Sequence, residues 1–68
     1  MDIKHKFAQR MRLLRNEAGI SQEELAFRSK LDRTYINSVE NGKRNISIVN
    51  IEKIAIALEI SIQDFFKG

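Results

Sequence analysis

Residues 31–45 read LDRTYINSVENGKRN, and the order of polar and apolar residues in this stretch decides how the whole chain is understood. Asp32 is placed to cap a helix, Asn41 and Gly42 to end it, and between them only Ile36 and Val39 are strongly apolar. Stepping about 100° per residue, Ile36, Val39 and the flanking Glu40 point one way, while Arg33, Thr34, Asn37, Ser38 and Asn41 point the other and Tyr35 sits at the border. A helix that buries so little must either be held by neighbours for the sake of its outer face or be ordinary surface. Composition alone leaves both readings open, because polar residues on the outside of a short helix are common to all water-exposed helices.

The rest of the chain is patterned as helix throughout. Ile3, Phe7, Met11, Leu14 and Ala18 form one helical stripe, opened by Asp2 and closed by Gly19. Ser21 with Glu24 has the spacing of a reciprocal capping box, and the short helix it starts, with Leu25, Ala26 and Ser29 inward, stops near Lys30. Ser47 opens a fourth helix with Ile48, Ile51, Ile54, Ala55 and Leu58 on its inner stripe, and Ser61 with Asp64 opens a short fifth carrying Ile62, Phe65 and Phe66. There is no proline, and period-2 runs of β-branched residues are missing, so the expected fold is all-α: five helices on short links in one compact domain.

Size and composition narrow the function classes. With 68 residues and no cysteine, nearly every apolar residue is needed for a single core. One histidine, His5, and no cysteine argue against a metal site, and scattered carboxylates on so small a helical body offer no nucleophile, base and orienter for catalysis. No cofactor or small-molecule ligand is expected. The polar amino terminus and the lack of a long apolar run point away from secretion and membranes, giving a cytoplasmic address. The net charge of +3 is unevenly spread: Lys4, Lys6, Arg10, Arg12 and Arg15 outweigh Asp2 and Glu17 at one end, whereas Glu52, Glu59 and Asp64 outweigh Lys53 and Lys67 at the other. One basic face suits a polyanion.

On that basis the outer residues of the third helix gain a chemistry. Arginine pairs with guanine O6 and N7, asparagine with adenine N6 and N7, and threonine can meet a thymine methyl, all in a major groove that admits one helix. The preceding short helix starts with Gln22 at its positive end, and Asn41, Gly42, Lys43, Arg44 and Asn45 form a basic polar loop behind the third helix, of the kind that clamps a phosphate strand.

From Phe7 to Phe66 the chain resembles the Cro/C1-type, or XRE, helix-turn-helix family of bacterial and phage transcriptional regulators. The motifs that carry the resemblance are MRLLRNEAGISQEELA (11–26), SKLDRTYI (29–36), VENGKRN (39–45) and IEKIAIALEISIQDFF (51–66). Within the family, Leu31 to Ile36 is most similar to the small homodimeric controller proteins of restriction–modification systems. The resemblance implies a five-helix, lambda-repressor-like domain with its helix-turn-helix at about residues 21–41 and a dimerisation region at about 49–66. It implies double-stranded DNA as partner, with Arg33, Thr34, Asn37 and Ser38 at base edges and Gln22, Tyr35, Asn41, Lys43 and Arg44 on the backbone; Tyr35 could pack on sugar or reach a phosphate. Ile46 stands where proline is frequent in the family, which leaves the loop freer. Family members also pair the residues matching Arg15 and Glu40, each at the edge of an apolar stripe, so a partly buried ion pair is expected there.

Three further groups have structural readings. Phe27 lies beside the inner face of its helix and is expected to be a partly exposed packing residue, His5 a solvated side chain, and Leu13 a lone exposed leucine. The carboxyl-terminal third carries more apolar surface than one small core needs: Phe65 is assigned to the core, and Ile56, Ile60, Ile62 and Phe66 to a two-fold homodimer contact. The competing function is a protein-interaction module, an antitoxin or adaptor, that uses the same helical fold and presents its apolar end to a different partner.

Overall fold

The computed structural model describes residues 2–67, and among these there are five helices and no strand. They are α1 (Ile3–Glu17), α2 (Gln22–Ser29), α3 (Arg33–Glu40), α4 (Ile48–Ala57) and α5 (Ile62–Phe65). Each begins where a short polar side chain can accept from a first-turn amide: Asp2 from His5 N, Ser21 from Glu24 N, Asp32 from Thr34 N, Ser47 from Asn50 N and Ser61 from Asp64 N. A cap of this kind contributes about 1 kcal/mol, which matters in helices of only four to fifteen residues. The Ser21 box is half formed, because Glu24 turns its carboxylate to Arg28 Nε at 2.8 Å instead of reaching back to the Ser21 amide.

The first four helices end alike. The chain turns left-handed one residue past the last helical turn, and the next amide closes back onto the helix: Ile20 N to Arg15 O, Leu31 N to Ala26 O, Lys43 N to Ser38 O and Ile60 N to Ala55 O. Glycine holds the left-handed position after α1 and α3, but Lys30 and Glu59 hold it after α2 and α4, each at φ 60°. Those two ends therefore carry a steric cost that glycine would avoid.

Phe65, Met11, Leu25, Ile36, Ile54 and Val39 are fully buried at the centre, one or two from every helix. α3 packs between α1 and α2, α4 lies against α2, and α5 closes the base against α1 and α4. There the rings of Phe7 and Phe65 stack at 4.9 Å, with Phe66 tilted against both. Two donors of the Arg10 side chain seal that corner, Nε to Phe65 O at 2.9 Å and Nη2 to Asp64 O at 2.8 Å.

Three residues assigned to inner stripes are not inside. Ile3 and Ile48 are each 69% exposed, and Ala18 is exposed too. All three sit at helix ends, where the stripe runs past the edge of the neighbouring helix and no partner remains to cover it. Phe27, expected to be partly covered, is 80% exposed. His5 is not simply solvated: its Nδ1 donates to Asp2 Oδ1 at 2.9 Å, and its ring lies so close to Gly42 that a Cβ there would stand 2.8 Å from Cδ2. The amide of His5 on the same carboxylate is the main reason that Asp2 titrates below the usual carboxylate range.

Candidate nucleic-acid interface

The outer face of α3 is held out by the residues on its inner face. Ile36 and Val39 are buried in the core, and Glu40, 3% exposed, is fixed by a fork from α1: Arg15 Nε donates to Glu40 Oε2 at 2.7 Å and Nη2 to Oε1 at 3.0 Å. Arg15 Nη1 also donates to Ile20 O at 2.9 Å, so the same guanidinium ties α1, the α1–α2 turn and α3 together. The hydrogen bonds to Glu40 raise the Arg15 pKa further above its already high value, against the opposing effect of burial. Such a pair fixes the position of α3 more than it adds net stability, since both charges were solvated in the unfolded chain.

With α3 so placed, Arg33, Thr34 and Asn37 are exposed, and Ser38 and Tyr35 are half-buried. Asp32 stays at the start of the helix as an N-cap, accepting from Thr34 N at 2.7 Å. Gly42, with φ 70°, carries the chain from the end of α3 into Lys43, Arg44 and Asn45, all exposed beside that face. Arg44 lies over the Tyr35 ring, its Cζ 5.1 Å from the centroid, and Tyr35 Oη accepts from Asn50 Nδ2 at 3.1 Å. The loop and the border of α3 are thereby joined to α4.

Gln22 differs most from its sequence reading. Its side chain does not project from the end of α2 but lies between Glu40 and Asn37: Nε2 donates to Glu40 Oε1 at 3.0 Å, and Oε1 accepts from Asn37 Nδ2 at 3.1 Å. Asn41 Nδ2 donates in turn to Asn37 Oδ1 at 3.1 Å. Arg12 ends the row, with Nη2 donating to Glu40 O at 3.0 Å and to Asn41 Oδ1 at 3.3 Å. Sequence reasoning missed Arg12 and Asn50. A signal existed for Arg12, which lies one turn before Arg15 on the same side of α1 and so also faces α3. Nothing local marked Asn50.

Of the residues assigned to the dimer contact, Ile56 is 68% and Phe66 52% exposed, whereas Ile60 and Ile62 are half-buried against the core. Val49 is exposed on the same side of α4 as Ile56, two turns earlier. Phe66 also borders an open groove of about 730 Å³ between α1 and α5, together with Ile3 and Leu13.

A helix-turn-helix family model matches residues 11–65, which runs from the middle of α1 to the end of α5 and includes the buried Arg15–Glu40 fork and the exposed face of α3. The chain belongs to the helix-turn-helix family. Among curated members it is 48% identical over 66 residues to the control protein C.MunI of a Mycoplasma species, covering 96% of this chain and 89% of that one. Among solved members, the restriction–modification controller protein C.AhdI from Aeromonas hydrophila is 54% identical with a TM-score of 0.90, over 93% of this chain and 96% of that one. The controller protein C.Esp1396I, solved as a tetramer on its natural 35 base-pair operator, is 39% identical with a TM-score of 0.93, over 98% and 88%. The likeness to controller proteins carried by Leu31 to Ile36 thus extends over nearly the whole chain. No helix is long and apolar enough to cross a membrane, and no group of three or more His, Asp or Glu is placed to hold a metal among the described residues.

Proposed function

We propose that this protein is a sequence-specific, double-stranded-DNA-binding transcriptional regulator that acts in the bacterial cytoplasm as a homodimer on a palindromic operator and controls a restriction–modification operon. The observation that carries the reading is the exposed polar face of α3, held clear of the body by the buried Glu40. Arg33, Thr34, Asn37 and Ser38 supply the donors, acceptors and methyl that base edges match. Tyr35, Asn41, Lys43 and Arg44 surround them with groups suited to phosphate and sugar, and the remaining Nε2 hydrogen of Gln22 can serve one phosphate oxygen beside its internal bonds. Residues 21–41 act as the helix-turn-helix and 49–66 as the dimerisation region. The operator-bound tetramer of C.Esp1396I supports DNA as the partner, and the control proteins among its relatives support the operon assignment.

Dimerisation follows from contact area. One α3 covers too few base pairs for a unique address, and the exposed Ile56 and Phe66, with Ile60 and Ile62 beside them, offer a self-complementary apolar surface for a two-fold partner. Two copies joined there would present their α3 helices to successive major grooves about 34 Å apart. Counterion release would make binding strongly salt-dependent.

Selection of bound sites from random duplexes, with light scattering of the free and bound chain, tests the reading. A palindromic site with half-sites about one helical turn apart and a 2:1 complex is expected. A chain that stays monomeric and ignores duplex DNA at low salt refutes it and favours a protein-interaction module.

A further inference from the structure

Gln22, Asn37 and Asn41 form a row of three side-chain amides across the exposed face of α2 and α3. An isolated amide can turn over, exchanging its oxygen and NH2 ends at little cost. This row cannot, because its two ends are occupied by groups that play only one part. Glu40, an ionised carboxylate that only accepts, takes the Gln22 NH2 at 3.0 Å; Arg12, a guanidinium that only donates, gives to the Asn41 oxygen at 3.3 Å. Turning any one amide over would set NH2 against NH2 or oxygen against oxygen at its contacts within the row. The direction of all three is therefore set from both ends.

We propose that Arg12 is a specificity-positioning residue: through Asn41 it holds the oxygen end of the Asn37 amide, while Glu40 holds the NH2 end through Gln22, and with both ends held Asn37 meets a base in one orientation only. The inference rests on Asn37 being a base reader. Each end of the Asn37 amide makes one internal bond, which leaves one hydrogen on Nδ2 and one lone pair on Oδ1 for the duplex. That remaining pair matches adenine, N7 accepting on the Gln22 side and N6 donating on the Asn41 side. Arg12 is half exposed and belongs to α1, outside the helix-turn-helix itself. It acts on base choice without touching a base.

The test compares duplexes that differ at single base pairs. The pair read by Asn37 is first located as the one whose preference disappears in Asn37→Ala; if no pair behaves so, the base-reading role of Asn37 fails, and the proposal with it. At that pair, Arg12→Met, which leaves the Glu40 end in place but frees Asn41 to release the Asn37 oxygen, is expected to lower discrimination about threefold while preferences at other pairs persist, and to add nothing further in the Asn37→Ala background. Arg12→Lys, which also only donates, should retain the preference. Asn41→Ala breaks the row at an exposed position and keeps the Arg12 bond to Glu40 O, so it decides the matter if Arg12→Met does not fold; it should lower the same preference. Equal weakening of all duplexes by Arg12→Met, random sequence included and with no change at the Asn37 pair, would make Arg12 a phosphate contact and overturn the proposal; for Asn41→Ala only the preference at that pair is decisive, because Asn41 also faces the phosphate strand. An unchanged preference at the Asn37 pair in folded Arg12→Met or Asn41→Ala would overturn it as well.

Discussion

Replacing Glu40 by alanine removes the acceptor for two Arg15 donors and for the Gln22 amide in one step. The Arg15 side chain, 13% exposed, keeps its bond to Ile20 O but loses its counter-charge inside the protein. Stranding a buried charge in this way costs about 3–5 kcal/mol. A domain of this length has roughly 3–10 kcal/mol of net stability, so the variant should be marginal at room temperature. At about 4–8 °C per kcal/mol, its melting temperature should fall by at least about 12 °C. Circular dichroism against temperature and urea reads the loss, and titration with operator and random duplexes should show both weakened together. Because the penalty comes from the unpaired guanidinium, Arg15→Met combined with Glu40→Leu should recover most of it. Unaltered melting of Glu40→Ala with a changed base preference would make Glu40 part of the reading surface, and a double variant less stable than Glu40→Ala would refute the stranded-charge reasoning.

Arg33→Ala should cost about 1–3 kcal/mol on the operator and relax choice at one base pair per half-site, whereas Arg44→Ala should weaken all sequences alike and lower the salt slope by about one; fluorescence-anisotropy titrations at several salt concentrations distinguish them. Lys30→Gly and Glu59→Gly, at the two left-handed helix ends without glycine, should each stabilise by about 0.5–1 kcal/mol in urea denaturation, the relief of strain exceeding the entropy glycine adds to the unfolded chain. Asp2 titrates lower in the folded than in the unfolded chain, so the stability it supplies is present above its unfolded pKa and is lost as pH falls through its folded value. His5→Ala should leave most of that depression in an NMR titration of the Asp2 carboxyl, because the His5 backbone amide is its first cause.

The elements were legible because the signals that make them lie within a few residues of each other. Asp2, Ser21, Asp32, Ser47 and Ser61 cap helices by accepting amides two or three positions on, and Gly19 and Gly42 end them by a local change of φ. The inner stripes failed only at Ile3, Ala18 and Ile48, where burial depends on how far the next helix extends. The ion pair was drawn from family likeness, and the half-formed box at Ser21 shows how a competing partner, Arg28 one turn ahead, redirects a side chain whose spacing suggested otherwise.

Sequence by itself determined the five helices, their caps and the polar outer flank of α3, because periodicity and capping act over one or two turns. Only the tertiary structure decided that Gln22 turns to Glu40 and Asn37, that Arg12 closes the amide row at Asn41, and that Arg44 lies over Tyr35. Apart from the last pair, those partners come from different helices, and a polar side chain has many acceptors within reach until packing fixes the angle and distance between helices and leaves it one.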